Sequence, residues 1–219
     1  MQSTIIYLAG AALTLPTVAN AQDKGPYVGV DIGYAVSPDL DVATDTTRDD
    51  PGHIFLTDGE QLSAVAGYDF GGFRLEAEAG WSDVGVDGSQ APQNDPVGLG
   101  TYWEAEGSIK TRRLMINGLA DFGGAGGIGG FVGAGIGVAD MDLYVRNLPF
   151  DQPIFDDGNG GLAWQVTGGV AIPIANRVGL VARYRFLNAP DAAFTNFFGR
   201  EESDTYRMHS LSAGVQFGF

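Results

Sequence analysis

The two histidines, His53 and His209, are the side chains whose ordinary pKa best suits them to general acid–base catalysis. Ser210 follows His209 directly, and a hydroxyl beside an imidazole is the beginning of an activated nucleophile. Apolar and polar residues alternate around this pair, which predicts a β-strand, and adjacent strand residues point to opposite faces. His209 and Ser210 therefore cannot share a proton. We expect no catalytic residues and no enzyme activity.

Acidic side chains are the second group that could do chemistry, because clustered carboxylates can hold divalent cations. The chain has 27 Asp and Glu against 12 Lys and Arg, for a net charge of −15. Its most suggestive acidic stretch, 151–160, lacks the ligand spacing of a calcium loop. We expect a solvated acidic surface with no metal site and no cofactor. The negative charge also excludes nucleic acid as an expected partner, since that needs a basic surface.

Five further charges occupy alternate positions in two otherwise apolar segments. Arg74, Glu76 and Glu78 alternate with apolar residues in one segment, and Arg183 and Arg185 do so in the other. A period of two indicates strands with one apolar and one charged face. The charged faces must point into a shared interior if the apolar faces contact lipid.

The same alternation predicts eight strands, and mean hydropathy is near zero (+0.01). The strands are predicted at Pro26–Val36, Gln61–Phe70, Phe73–Trp81, Ile109–Phe122, Phe131–Ala139, Leu162–Ile172, Val178–Leu187 and Thr205–Phe219. The long connections are predicted at Ser37–Glu60, Ser82–Ser108, Asp140–Gly161 and Asn188–Asp204, and short turns separate them. This pattern predicts an all-β fold, an eight-stranded antiparallel transmembrane up-and-down β-barrel with four long extracellular loops.

In such a barrel the two charged segments lie on opposite walls. The interior of eight strands is only wide enough for side chains to fill, and an unpaired buried charge is costly. We therefore expect an ion-pair network in the lumen, formed by Arg74, Glu76, Glu78, Arg183 and Arg185. The alternative is a gate whose ion pairs rearrange to pass ions.

The beginning of the chain has the features of an export signal. A short apolar run is followed by Ala19 and Ala21, the small residues of an A-x-A cleavage site. We expect residues 1–21 to be a cleaved signal peptide and residues 22–219 to be one barrel domain. Without cysteine, the chain has neither disulfides nor thiol chemistry.

Several segments resemble the small eight-stranded outer-membrane barrels of Gram-negative bacteria, the OmpA-like and opacity-protein-like proteins of the porin family. These segments are Tyr27–Gly29, Gly67–Phe70, Phe73–Glu76, Val132–Gly137 and the closing strand from Tyr206. The resemblance implies export through the periplasm to the cell outer membrane. It specifies function weakly, because the family includes adhesins, structural proteins, small pores and a few enzymes.

The expected role is therefore envelope structure and surface interaction through four long acidic extracellular loops. A narrow, low-conductance pore is the alternative, and a lipid-modifying enzyme is the third possibility. Expected partners are outer-membrane lipid and an extracellular ligand or surface at the loops. We expect a monomer.

The closing strand ends in Gly214-x-x-Phe217-x-Phe219, which resembles the signal by which outer-membrane barrels are recognised by the assembly machinery. We predict that Phe219 anchors this recognition, so that deleting it leaves unfolded protein in the periplasm. Heat-modifiable migration on gels and the outer-membrane yield measure the effect. Normal migration and yield of the deletion variant would contradict the prediction.

Overall fold

The computed structural model describes residues 24–37, 40–42, 52–90, 101–124, 127–147, 152–195 and 201–219. Within these ranges the strands are β1 Gly25–Val36, β2 Leu40–Val42, β3 Gly52–Asp69, β4 Phe73–Gln90, β5 Tyr102–Gly123, β6 Gly129–Asn147, β7 Gln152–Ala175, β8 Val178–Thr195 and β9 Glu201–Gly218. No helix in the described part of the chain is long and apolar enough to cross a membrane.

The sheet closes on itself. Each strand from β3 to β9 pairs antiparallel with the next, and β1 pairs with both β3 and β9. The short β2 pairs only with the start of β3, where Leu40 is opposite Ile54. Eight strands thus complete the barrel, and the predicted eight-stranded antiparallel barrel is confirmed.

Tight turns join the strands at one end, which we call the turn end. Gly71 and Gly72 connect β3 to β4 with φ angles of 86° and 114°, a region that disfavours residues with a Cβ. Asn176 and Arg177 form the turn between β7 and β8. The first residue of β1 and the last residue of β9 also lie at the turn end. We call the opposite end of the barrel, where the long connections begin, the loop end.

The outer face near the turn end is an apolar band. Outward residues such as Ile32, Ile136 and Leu162 are 67%, 73% and 74% exposed, whereas their inward neighbours are largely covered. In β4 this band runs from Phe73 to Trp81, which matches the 9–11 residues that a tilted strand needs to cross a bilayer. Aromatic residues border the band at the loop-end side, forming what we call the outer aromatic ring: Tyr34, Trp81, Trp164 and Tyr184.

Beyond the outer aromatic ring the two faces of the sheet exchange character. In β6 between Val132 and Val138, outward residues are apolar and inward positions are all glycine. From Asp140 onward, the outward residues include Asp142 and Arg146, while the inward residues are buried and apolar. The switch is expected at a membrane boundary, because the outer wall leaves lipid and enters water.

Apolar side chains fill the barrel beyond that boundary. We call this part the loop-end extension; β4 contributes Ser82–Gln90 and β5 contributes Tyr102–Thr111. Its buried core contains Ala35, Ile54, Val84, Val86, Ala105, Ile109, Ala139, Met141, Leu143, Val145, Leu187, Ala189, Tyr206 and Met208. At its base Ser37 donates a hydrogen bond of 3.1 Å to the hydroxyl oxygen of Tyr206, and burial raises the pKa of Tyr206.

The predicted bounds of the long connections were therefore wrong. Strand β3 begins at Gly52 rather than Gln61, β4 continues to Gln90, and β5 begins at Tyr102 rather than Ile109. The sequence interpretation followed the apolar outer face and stopped where that face became polar. The strands continue because their inner face becomes apolar at the same level.

The switch makes Leu143 a core residue outside the membrane, at 1% exposure. Replacing Leu143 with Ala should reduce the free energy of unfolding by about 2–5 kcal/mol, because it leaves a cavity in a packed interior. Replacing its exposed neighbour Tyr144 with Ala should cost about 0.5 kcal/mol or less. Urea titration in lipid vesicles measures both. Equally small effects would mean that this segment behaves as a loop.

Candidate functional site

The lumen at the level of the apolar band contains a fully buried carboxylate, Glu78. Its Oε1 lies 3.1 Å from Nη2 of Arg113 and 2.9 Å from Nε of Arg185. The Arg185 contact is an ion pair whose N–H is not aligned as a hydrogen bond. The other oxygen accepts hydrogen bonds from Gln165 at 2.9 Å and Asn117 at 3.1 Å. Strands β4, β5, β7 and β8 are thereby tied together through one side chain.

A second carboxylate, Glu76, lies one inward position nearer the turn end. Arg183 donates to it through both terminal nitrogens, at 2.6 and 3.0 Å. This bidentate geometry is the strongest form of an arginine–carboxylate pair. Tyr27 donates a further bond of 3.0 Å to Glu76 Oε2. Strands β1, β4 and β8 meet at this pair.

Arg74 is the predicted lumen residue nearest the turn end, and its ion pair is with a neighbouring strand, while a longer bond of 3.5 Å reaches Gln216 of β9. It donates to Asp121 of the neighbouring β5, with the shortest contact at 2.7 Å. Its guanidinium group stacks 4.8 Å from the centroid of Phe131 and 5.6 Å from that of Tyr27. Tyr27 also lines an open vestibule of about 650 Å³ at the turn end.

The structure brings the five predicted lumen residues into one interior and adds three that the sequence interpretation left out of the network: Asp121, described above with Arg74, and Asp31 and Arg113. Asp31 of β1 forms a bidentate pair with Arg185 at 2.9 and 3.0 Å. Arg113 of β5 contacts Glu78, Gln61 and Ser63 through one nitrogen. Alternation already predicts that Asp31 and Arg113 point inward. Because an unpaired buried charge is costly, that direction alone could have placed both residues in the ion-pair network.

Among the described residues, four guanidinium groups and four carboxylates therefore contact one another in the lumen. Space for them comes from β6, whose inward glycines oppose the larger side chains of β5. A Cβ at Gly135 would collide with Asn117, and one at Gly137 would collide with Met115 and the backbone beside it. The apolar core of the loop-end extension covers this charged layer from above.

The histidine–serine pair separates as expected. Ser210 is buried inside the barrel at 3% exposure, whereas His209 is on the outer wall. There Nδ1 of His209 lies 2.7 Å from the Tyr184 hydroxyl oxygen. The other histidine, His53, lies in β3.

At the closing seam, Gly214 has a packing role in addition to its predicted role in the assembly signal. A Cβ there would collide with Asp31 and with the carbonyl oxygen of Val30. Phe217 and Phe219 are 44% and 64% exposed on the outer wall, and the Phe219 amide donates a 3.0 Å bond to the carbonyl oxygen of Pro26. Ala19, Ala21 and the predicted signal peptide lie outside the described residues.

A closed eight-stranded sheet with an apolar outer band and a charged, packed lumen defines a transmembrane β-barrel of the outer-membrane class. The family model of the outer membrane protein beta-barrel domain matches residues 5–219. The chain belongs to this family, and membership implies a location in the outer membrane.

Solved structures similar to this chain include the Neisserial surface protein A, with 17% identity and a TM-score of 0.55 over 89% of this chain and 97% of that one. The outer membrane protein OprG from Pseudomonas aeruginosa has 14% identity and a TM-score of 0.55, over 89% of this chain and 96% of that chain. The outer membrane protein AlkL has 13% identity and a TM-score of 0.53, over 100% and 97%. These similarities show the fold alone. No curated protein matches the sequence.

The Glu76–Arg183 pair provides a test of the charged lumen. Replacing either residue with Gln strands a buried charge, so each single variant should lose about 3–5 kcal/mol of unfolding free energy. The double variant should lose less than the sum, because no charge remains unpaired. Urea unfolding of all four proteins in vesicles gives the coupling energy.

The matched control is the exposed pair of Arg112 and Asp140, 3.1 Å apart with side chains 60% and 53% exposed. The same Gln and Asn substitutions there should change stability by about 1 kcal/mol or less. Small, additive effects at both pairs would mean that the lumen is hydrated rather than packed.

Proposed function

We propose that the protein is a non-conducting envelope barrel that presents a rigid, acidic platform for interaction at the cell surface. The proposal rests chiefly on the loop-end extension. In β4 the nine residues Ser82–Gln90 continue the strand beyond Trp81. At about 3.3 Å per residue and a tilt near 40°, the platform would stand about 20 Å above the apolar band.

Internal packing supports a mechanical role for this platform. A solvated loop needs no buried side chains, yet Val84, Ile109 and Leu143 are 0–1% exposed in the described structure. Burying apolar side chains stabilises the extension by the hydrophobic effect, so the segments that connect its strands start from fixed positions. Such an arrangement suits presentation of a surface more than passage of a solute.

The lumen supports the absence of conduction. Its charged layer is paired between opposite walls through Glu76 and Arg183, and Arg185 joins Asp31 to Glu78. An ion crossing this layer would have to break several charge-assisted contacts in a poorly hydrated interior. The apolar core beyond it would be a second barrier.

Surface charge indicates the class of partner. On the outer wall of β4 and β5 the extension carries Asp83, Asp87, Glu104 and Glu106; Lys110 lies opposite Asp83, and Arg146 offsets Glu106 at 3.3 Å. The whole chain has a net charge of −15. Charge complementarity then favours a cationic partner surface, with attraction that weakens as salt rises.

The test combines two measurements on barrels reconstituted in lipid. In planar bilayers we expect no single-channel steps. On amine-coated particles we expect binding that falls several-fold when Asp83, Asp87, Glu104 and Glu106 are all changed to Asn or Gln, because rim charges set attraction and salt dependence.

The matched control exchanges Asp and Glu at the same four positions, which preserves charge, and it should bind like the wild type. Clear wild-type conductance would instead support the narrow pore. Equal binding by the neutralised and charge-preserving variants would contradict the platform.

A further inference from the structure

Strand β9 presents two basic side chains on the outer wall just past the outer aromatic ring. Leu211 is opposite both Tyr34 and Tyr184, and His209 is the next outward residue of β9. Arg207 follows two residues further out and is exposed. Successive outward residues are about 6.6 Å apart along a strand. His209 and Arg207 therefore lie at the level where lipid headgroups meet the barrel.

Two aromatic side chains of β8 hold the imidazole of His209. Its Nδ1 is 2.7 Å from the hydroxyl oxygen of Tyr184, and its ring centroid is 4.9 Å from that of Phe186. The ring nitrogen Nε2 is a donor when Tyr184 donates to Nδ1, and also when the imidazole is protonated. An anion beside Nε2 would favour both of these states.

Arg207 differs from the other exposed arginines of the outer wall. Arg112 pairs with Asp140 and Asp142 at 3.1 and 3.0 Å, and Arg146 pairs with Glu106. Within the described ranges, no carboxylate forms an ion pair with Arg207. Its guanidinium group can donate to an external anion without first breaking an ion pair with any described carboxylate.

The surroundings of this pair favour an amphiphile over a free ion. Beside it on β8 and β7, Phe186 is opposite His209 and Trp164 adds aromatic surface, with ring centroids 5.6 Å apart; Tyr34 lies one outward position below His209. The adjoining β3–β4 flank is acidic just past the outer aromatic ring, because Glu60 follows Leu62 on β3 and Asp83 follows Trp81 on β4. One flank would therefore attract anionic headgroups and the other would repel them.

We propose that the β8–β9–β1 flank binds the phosphate of an outer-leaflet lipid headgroup, with Arg207 and His209 as its donors and Tyr184 positioning the imidazole. The phosphate oxygens accept hydrogen bonds from the guanidinium group and from Nε2. The acyl chains lie along the apolar band below. This site would hold a lipid on one side of the barrel only.

Native mass spectrometry of the barrel with equal amounts of diphosphoryl and fully dephosphorylated lipid A tests the proposal. The wild type should retain the phosphorylated lipid about tenfold more, as expected for roughly 1.4 kcal/mol of charge-assisted bonding. The double variant Arg207→Gln/His209→Gln should retain both lipids equally. Tyr184→Phe should lie between the two.

Arg112→Gln is the matched control, since Arg112 is exposed on another flank and already paired; its preference should equal that of the wild type. Heat-modifiable migration confirms that each variant is folded. An unchanged preference in the double variant, or an equal loss in Arg112→Gln, would overturn the site. Displacement of the lipid by millimolar inorganic phosphate would also overturn it, because it would indicate a free-anion site.

Discussion

An eight-stranded barrel has an interior that only side chains can fill, and each charge inside it needs a partner inside it. Glu78 meets this requirement with Arg113 and Arg185, and Glu76 meets it with Arg183. The pairs made by Arg183 and Arg185 join β8 to β4, two strands that are far apart in the chain. Closure of the sheet and pairing of the charges therefore depend on each other, since a shifted register would leave a buried guanidinium group without its carboxylate.

The outside of the barrel responds to two solvents. Lipid selects apolar outward residues as far as the outer aromatic ring, and water selects charged ones beyond it. The inner face changes in the opposite direction, from ion pairs and glycines to an apolar core. The same strands can thus cross the membrane and continue as a water-exposed platform, without a separate domain. The wall of that platform is not uniform, because β9 carries His209 and Arg207 where β3 and β4 carry the acidic Glu60 and Asp83.

Much of this architecture could be predicted from alternation alone. The period of two identified eight strands, their outward and inward faces, and the inward direction of Arg74, Glu76, Glu78, Arg183 and Arg185. The period identifies these features because every strand in a lipid bilayer needs an apolar outward face, regardless of which strands it pairs with. Gly71 and Gly72 likewise indicated a tight turn from their residue type, since few other residues adopt such φ angles.

The tertiary structure alone decided which charge meets which, and where the strands end. Arg74 forms its ion pair with Asp121 on the adjacent strand rather than with a carboxylate across the lumen, because register and reach select partners among several inward carboxylates. The loop-end extension was not predicted because its polar face points outward and its apolar face points inward, the reverse of the membrane-spanning part. Leu143 is recognised as a core residue only when the closed barrel buries it. Alternation along one strand specifies a face, whereas burial depends on what the closed sheet brings against that face.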